Sequence, residues 1–221
     1  MPLLGSAAML LSFDVLPEAV AEHDDWHTHE HLPERLSIPG FLRGTRWTCV
    51  GEGPRYCVLY EVAALSVLTS GAYLERLNRP TPWTSKMMPM YRGMTRGLCE
   101  VVQSCGHGLG GLALLTRFAA DGEADAGALA GLLRGLPDAP GVGSAHLFRQ
   151  GAAAPMTREQ RLRGPDAGMG AALLLTGYRE EALRRAGKDA AAAAKAPVAS
   201  AALYRQDYAL TAEELRLGLS P

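Results

Sequence analysis

Two short stretches decide how this 221-residue sequence folds: Ile38-Pro39-Gly40-Phe41, which runs into Arg43–Trp47, and Pro140-Gly141-Val142, which runs into Ser144–Arg149. In each, Pro and Gly close a helical stretch and an apolar residue opens a strand. Gly40 and Gly141 stand 101 positions apart, which is the offset between the two copies at this step. Outward from the first lie a strand at Ala8–Val15, a helix from Pro17 through Glu18–His31, and strands at Phe41–Val50 and Arg55–Val62 joined by Gly51-Glu52-Gly53-Pro54. A helix at Ser66–Leu77, an irregular Pro- and Met-rich stretch at Arg79–Met94 and a strand at Gly97–Ser104 complete it. Outward from the second lie Leu112–Phe118, a helix at Asp125–Leu136, Ala171–Thr176, a helix at Glu180–Ala194 and a strand at Ala199–Tyr208. Each half reads β-α-β-β-α-β, so the chain is an internal duplication. An insertion, Gly151–Gly168, replaces the tight turn of the first copy.

One such unit covers only one face of its sheet with helices, and the other face must be buried elsewhere. A second copy supplies the cover. The expected fold is α+β, two tandem ferredoxin-like repeats at 1–104 and 112–210 forming one pseudo-dimeric, eight-stranded α/β barrel. Residues 105–111, with Gly106-His107-Gly108-Leu109-Gly110-Gly111, form a linker: phosphate-binding glycines follow a strand and open a helix, whereas these precede a strand. Residues 211–221 hold a short terminal helix, started by a capping-box spacing at Thr211-Ala212-Glu213-Glu214. With the barrel closed in one chain, a homodimer is compatible but not required.

Composition narrows the function classes. Hydrophobic residues make up 48% and charged residues 20%, as in an ordinary globular chain, and the net charge of −1 removes the electrostatic drive for nucleic-acid binding. No basic leader and no apolar run of membrane-spanning length is read, so the expectation is a soluble, cytoplasmic protein. Cys49, Cys57, Cys99 and Cys105 lack C-x-x-C spacing and read as reduced thiols.

The chemistry-bearing stretch is Asp24-Asp25-Trp26-His27-Thr28-His29-Glu30-His31-Leu32-Pro33-Glu34-Arg35. Helical spacing puts Val20, His27 and His31 on one face, with His23 or Asp24 beside them and His29 well round the helix. Pro33 predicts a kink at His29–Pro33. Three readings compete for the pair. His31 or His27 could act as general acid or base, with Glu30, Glu34 or Asp24 orienting it. They could ligate a metal, although a zincin pattern needs Glu where Thr28 stands, and no metal site is assigned. Or they could simply fix the helix end by hydrogen bonds. At the offset of 101, His27 falls on Ala128 and His31 on Leu132, so any site is single.

This segment resembles the dimeric α/β-barrel superfamily, and within it the EthD-like and related proteins. There an aromatic residue, a short spacer, His and a following Pro precede a Pro-Gly-apolar step into the second strand. The resemblance rests on Trp26, His31, Pro33 and Ile38-Pro39-Gly40-Phe41, extends over Met9–Val102, and is mainly architectural in the second repeat. It implies a small-molecule pocket and leaves the reaction open, since relatives include polyketide cyclases, cofactor-free quinone-forming monooxygenases, lactone isomerases and haem-dependent enzymes.

The expected pocket therefore takes His31 and His27 as proton-moving groups, with Trp26, Arg43, Trp47 and Tyr91 binding substrate. Period-two alternation puts Phe41, Arg43, Thr45, Trp47 and Cys49 on one face of the second strand. Trp47 could wall the pocket or be core, and Arg43 or Arg46 could hold an anion or lie in solvent. Trp83, Met87, Met88, Met90 and Tyr91 suit an apolar ligand or irregular packing. His107 and His146 stand apart and are assigned no role. The function read is cofactor-independent chemistry (cyclase, isomerase or monooxygenase type) on an aromatic or polyketide-like compound. The alternative is a non-catalytic ligand-binding or stress-related protein. No cofactor is assigned, haem being the lower-ranked possibility.

Overall fold

A computed structural model describes residues 3–119, 126–151 and 156–218. The first repeat contains β1 (Ala7–Val15), α1 (Val20–Trp26), α2 (Leu32–Leu36), β2 (Phe41–Cys49), β3 (Tyr56–Val62), α3 (Gly71–Asn78), α4 (Pro82–Met87) and β4 (Tyr91–Gly106). The second contains β5 (Leu112–Phe118), α5 (Ala126–Gly135), β6 (Val142–Gln150), α6 (Arg158–Arg163), β7 (Ala167–Gly168), β8 (Ala171–Gly177), α7 (Glu180–Ala194) and β9 (Val198–Thr211), and α8 (Ala212–Gly218) follows.

The strand order β1-β3-β2-β9-β5-β8-β6-β4 closes on itself through antiparallel pairing of β1 with β4. Each repeat contributes four neighbouring strands, and the seams are β2–β9 and β4–β6, both antiparallel. The short β7 adds to β4 in parallel at Thr95 and Arg96. Strands buried on both faces must be apolar almost throughout, and β1 is, with Asp14 alone of its residues exposed. Leu10, Trp47, Cys57, Leu59, Leu115, Phe148 and Leu174 fill the barrel interior. Met9, Leu11, Phe13, Val58 and Tyr60 face outward beneath the helices of the first repeat, and Leu114, Leu173 and Leu175 do so in the second.

The Pro-Gly steps are equivalent in three dimensions. Gly40 (φ +93°) and Gly141 (φ +101°) both adopt the left-handed region, and a Cβ on either would meet a side chain of the following helical segment, Val67 at 2.5 Å or Ala182 at 2.7 Å.

Several boundaries differ from the sequence reading. The stretch Arg79–Met94, read as irregular, holds α4, capped by Thr81 accepting from the Thr84 amide, then a 3₁₀ turn and the start of β4. The Ser66–Leu77 helix is a 3₁₀ turn, Leu65–Thr69, followed by α3. β4 takes in Cys105 and Gly106, so the connector begins at His107. The capping box at Thr211 forms, with the Glu214 amide donating to Thr211 Oγ1 at 3.1 Å and the Thr211 amide to Glu214 Oε2 at 2.8 Å. All four cysteines are free thiols. Among the described residues no helix is long and apolar enough to cross a membrane.

Candidate active site between helix and sheet

The expected kink is a π-helical turn, His27–His31, between α1 and α2, in which the Leu32 amide donates to the His27 carbonyl. Pro33 has no N–H for the His29 carbonyl and its ring crowds that oxygen, so the preceding turn is the one that opens. A wider turn winds less per residue and brings His31 back over His27. The rings of His23, His27 and His31 form a row with centroids 5.6 and 5.7 Å apart, all buried against the outer face of the sheet.

That row borders a cavity of about 30 Å³, room for about two waters. Its lining includes His27, His31, Tyr60 and Tyr91, with Arg35 from α2 and Glu159 and Arg163 from α6. Sheet apolar groups, Met9, Leu11, Phe13 and Val58, form the floor. The insertion of the second repeat therefore covers the site of the first.

Each imidazole has a distinct environment. His27 Nε2 lies 3.1 Å from the Tyr60 hydroxyl, and its Nδ1 has no hydrogen-bond partner among the described residues. His31 Nδ1 is likewise buried without a partner, while Trp26 stacks beside the ring at 4.3 Å between centroids. Burial pushes both imidazoles well below the ordinary histidine range, and the Arg35 cation acts in the same direction. Both are neutral at pH 7 and able to accept a proton. His23, which spacing had placed only beside the pair, joins it fully. Its Nε2 is 3.2 Å from the Tyr91 hydroxyl and its Nδ1 3.4 Å from Asp24 Oδ1. Burial lowers the His23 pKa against the opposing pull of Asp24. Asp24 is partly exposed and also accepts from the Tyr56 hydroxyl at 2.8 Å, so Tyr91, His23 and Asp24 link the cavity to the surface. Burial raises the Tyr91 and Tyr60 hydroxyls, which stay protonated.

Three residues expected to bind substrate lie elsewhere. Trp47 is inside the barrel. The register shifts between Phe41 and Arg43, so Phe41 faces the helices while Thr45 and Trp47 turn inward. Arg43 pairs with the buried carboxylate of Glu61 at 2.6 Å and does not reach the cavity. Trp26 stands behind His31 rather than on the cavity surface, its indole N–H donating to Glu30 Oε1 at 3.1 Å and Thr84 Oγ1 at 3.3 Å. Tyr91 does line the cavity.

Sequence reasoning missed Arg35, Tyr60 and Glu159. Arg35 Nη2 donates to Glu159 Oε2 at 2.5 Å, both groups being buried, and nearby carboxylate charge overcomes burial to hold the guanidinium above its ordinary pKa. An Arg one turn beyond His31 was the available signal; nothing local pointed to Glu159. His146, read as standing apart, is held in the barrel by Ser104 Oγ at 3.0 Å and Ser144 Oγ at 2.8 Å. Among the described residues, no group of three or more His, Cys, Asp or Glu side chains is placed to hold a metal. As the side chains stand, Tyr60 engages His27, Trp26 covers a face of His31, and the cavity admits neither a haem nor another polycyclic group without movement of its lining.

No family model and no curated protein matches the sequence. Solved structures match along nearly the whole chain. An anthrone oxidase-like protein superposes with a TM-score of 0.62 at 12% identity, covering 97% of each chain. A Fusobacterium nucleatum protein provisionally named a monooxygenase gives 0.59 at 10% identity, covering 94% of this chain and 95% of its own. A heme-binding protein from Thermus thermophilus gives 0.52 at 13% identity, covering 98% and 96%. The fold is thus that of the dimeric α/β-barrel proteins, with both halves supplied by one chain.

Proposed function

We propose that this protein is a cofactor-independent enzyme that moves a proton on an aromatic or polyketide-like compound held between the helices and sheet of the first repeat. The observation that carries this reading is the pair of buried imidazoles, His27 and His31, whose Nδ1 atoms have no partner beside the cavity. An unsatisfied buried polar group costs about 1–3 kcal/mol, and packing does not require it. The second repeat fills the equivalent space with Leu129, Leu133, Leu173 and Leu175.

His31 is the base in this reading. Neutral at pH 7, it takes a proton from a carbon acidified by neighbouring carbonyl and aryl groups, leaving an enolate. The Trp26 face steadies the resulting imidazolium by a cation–π contact, and the Arg35 and Arg96 cations steady the enolate oxygen. Tyr91 protonates the enolate at its new position and regains a proton through His23 from solvent beside the Asp24 carboxylate, while the His31 imidazolium gives its proton back to water. Protonated in this way the enolate gives the isomerised product; left unprotonated, it cyclises or meets dioxygen. The likeness in fold to an anthrone oxidase-like protein makes anthrones the first compounds to test.

The alternative, a non-catalytic binding protein, draws support from the small cavity, since a polycyclic ligand enters only if part of the lining moves aside. The test is turnover of an anthrone followed by absorbance and oxygen uptake. General-base catalysis predicts that His31→Gln loses about 10²–10⁴-fold in rate with the fold retained. Equal rates for the variant and the wild type would remove His31, and no turnover of a ligand that binds would favour the binding protein.

A further inference from the structure

The lid over the cavity is held unlike the rest of the fold. The apolar cores contain no residue of α6, and the only side chain of α6 that is buried is Glu159. Its apolar neighbours look outward, Leu162 being 37% and Met156 57% exposed. What attaches the segment is polar: Glu159 on Arg35, Arg158 N–H on Asn78 Oδ1 at 3.0 Å, and Arg96 near Asp166 at 3.9 Å. A buried ion pair adds little net stability, because desolvation offsets its attraction. Such a segment opens at lower cost than one seated by apolar burial.

The ion pair itself is incomplete. Glu159 Oε1 is buried with no hydrogen-bond partner among the described residues, so this carboxylate uses one of its two oxygens. Arg35 stays on the fixed helix α2, beside an apolar floor. If α6 lifts it carries away two carboxylates, Glu159 and Asp166, and one cation, Arg163, and the uncovered cavity gains positive character from Arg35 and Arg96. Arg35 then keeps only the 3.4 Å contact with Glu34, which it shares with Arg76, so a second anion at the guanidinium is favoured.

We propose that Arg35 is the anion subsite of this cavity, that Glu159 occupies it in the ligand-free protein, and that the ligand is a planar apolar compound whose carboxylate, phenolate or enolate takes the place of Glu159 as α6 lifts. This deepens the function proposed above and rests on the same cavity. Glu159 is a built-in competitor. It keeps Arg35 paired between turnovers and selects against neutral compounds of the same shape, which cannot repay the broken ion pair.

Titrating the protein with 2-naphthoate and with its neutral counterpart 2-naphthamide tests this. The wild type binds the carboxylate about tenfold or more tighter than the amide, a difference of about 1.4 kcal/mol. Glu159→Gln, in which Arg35 keeps Glu34 at 3.4 Å, removes a competitor that both compounds displace, so it tightens 2-naphthoate by about tenfold and leaves the preference in place. The double variant Arg35→Met/Glu159→Gln removes both charges, so it leaves neither buried alone, and it loses the preference. Amide hydrogen exchange at Gln160–Arg163 rises when 2-naphthoate is added to the wild type. Equal binding of the two compounds, binding of neither, or a 2-naphthoate affinity unchanged by Glu159→Gln overturns the anion subsite, and unchanged exchange under saturating 2-naphthoate overturns the lifting of α6. None of these results bears on His31, whose test is turnover.

Discussion

Lowering the pH from 8 to 5 should unfold this protein more readily, and the histidines set the size of the effect. His146 is fully buried in the barrel, and desolvation depresses its pKa from 6.5 to about 3. His27 and His31 are depressed in the same direction by burial beside Arg35. A histidine kept neutral in the fold but free to protonate when unfolded contributes stability that is complete above pH 6.5 and is lost as pH falls below it. At pH 5, about 1.5 units below the unfolded value, the loss is about 2 kcal/mol for His146, and His27, His31 and His23 add to it in the same direction. Urea denaturation at half-unit steps from pH 8 to pH 5 measures this directly. Below pH 6 unfolding should take up protons, His146→Gln should reduce that uptake by about one, and His31→Gln should reduce it as well. A stability profile flat to pH 5, or imidazole resonances of His27, His31 and His146 titrating near 6.5 in the folded protein, would refute the reasoning.

Further outcomes follow from single contacts. Arg35→Ala leaves Glu159 buried and uncompensated and should cost about 3–5 kcal/mol in the same denaturation assay, whereas the Arg35→Met/Glu159→Gln pair should cost far less. Trp47→Phe alters the barrel interior, where the indole N–H has no partner among the described residues, so it should cost less than about 3 kcal/mol and leave ligand binding unchanged. Gly40→Ala and Gly141→Ala each add a Cβ at positive φ against a following helical segment and should each lower stability by about 1–3 kcal/mol, read as a fall in urea midpoint. Tyr91→Phe removes the hydroxyl that joins His23 to the cavity; it should slow turnover of an anthrone while leaving its binding within about twofold.

Much of the architecture was legible because it is encoded locally. Pro39-Gly40 and Pro140-Gly141 mark the same turn twice, and alternating apolar residues mark the strands on either side, so duplication and barrel closure follow from the need to cover the open sheet faces. That His27 and His31 share a face was legible for the same reason, since helical period fixes which residues do so, and Pro33 marks where the helix opens.

The remainder depended on elements far apart in the chain. One residue of bulge at Leu42 separates Phe41 from Arg43 and Trp47, which alternation had put together, and nothing in the residue types there marks a bulge. His146 acquires Ser104 and Ser144 only because β6 pairs with β4 across a repeat seam. Periodicity and turn chemistry act over a few residues, so residue order alone suffices for two repeats, a closed barrel and one histidine-bearing helix face. That Glu159, 124 positions from Arg35, covers this face has a different origin. An ion pair between distant segments is set by where the packed cores bring them, and neither segment carries a pattern that announces the other.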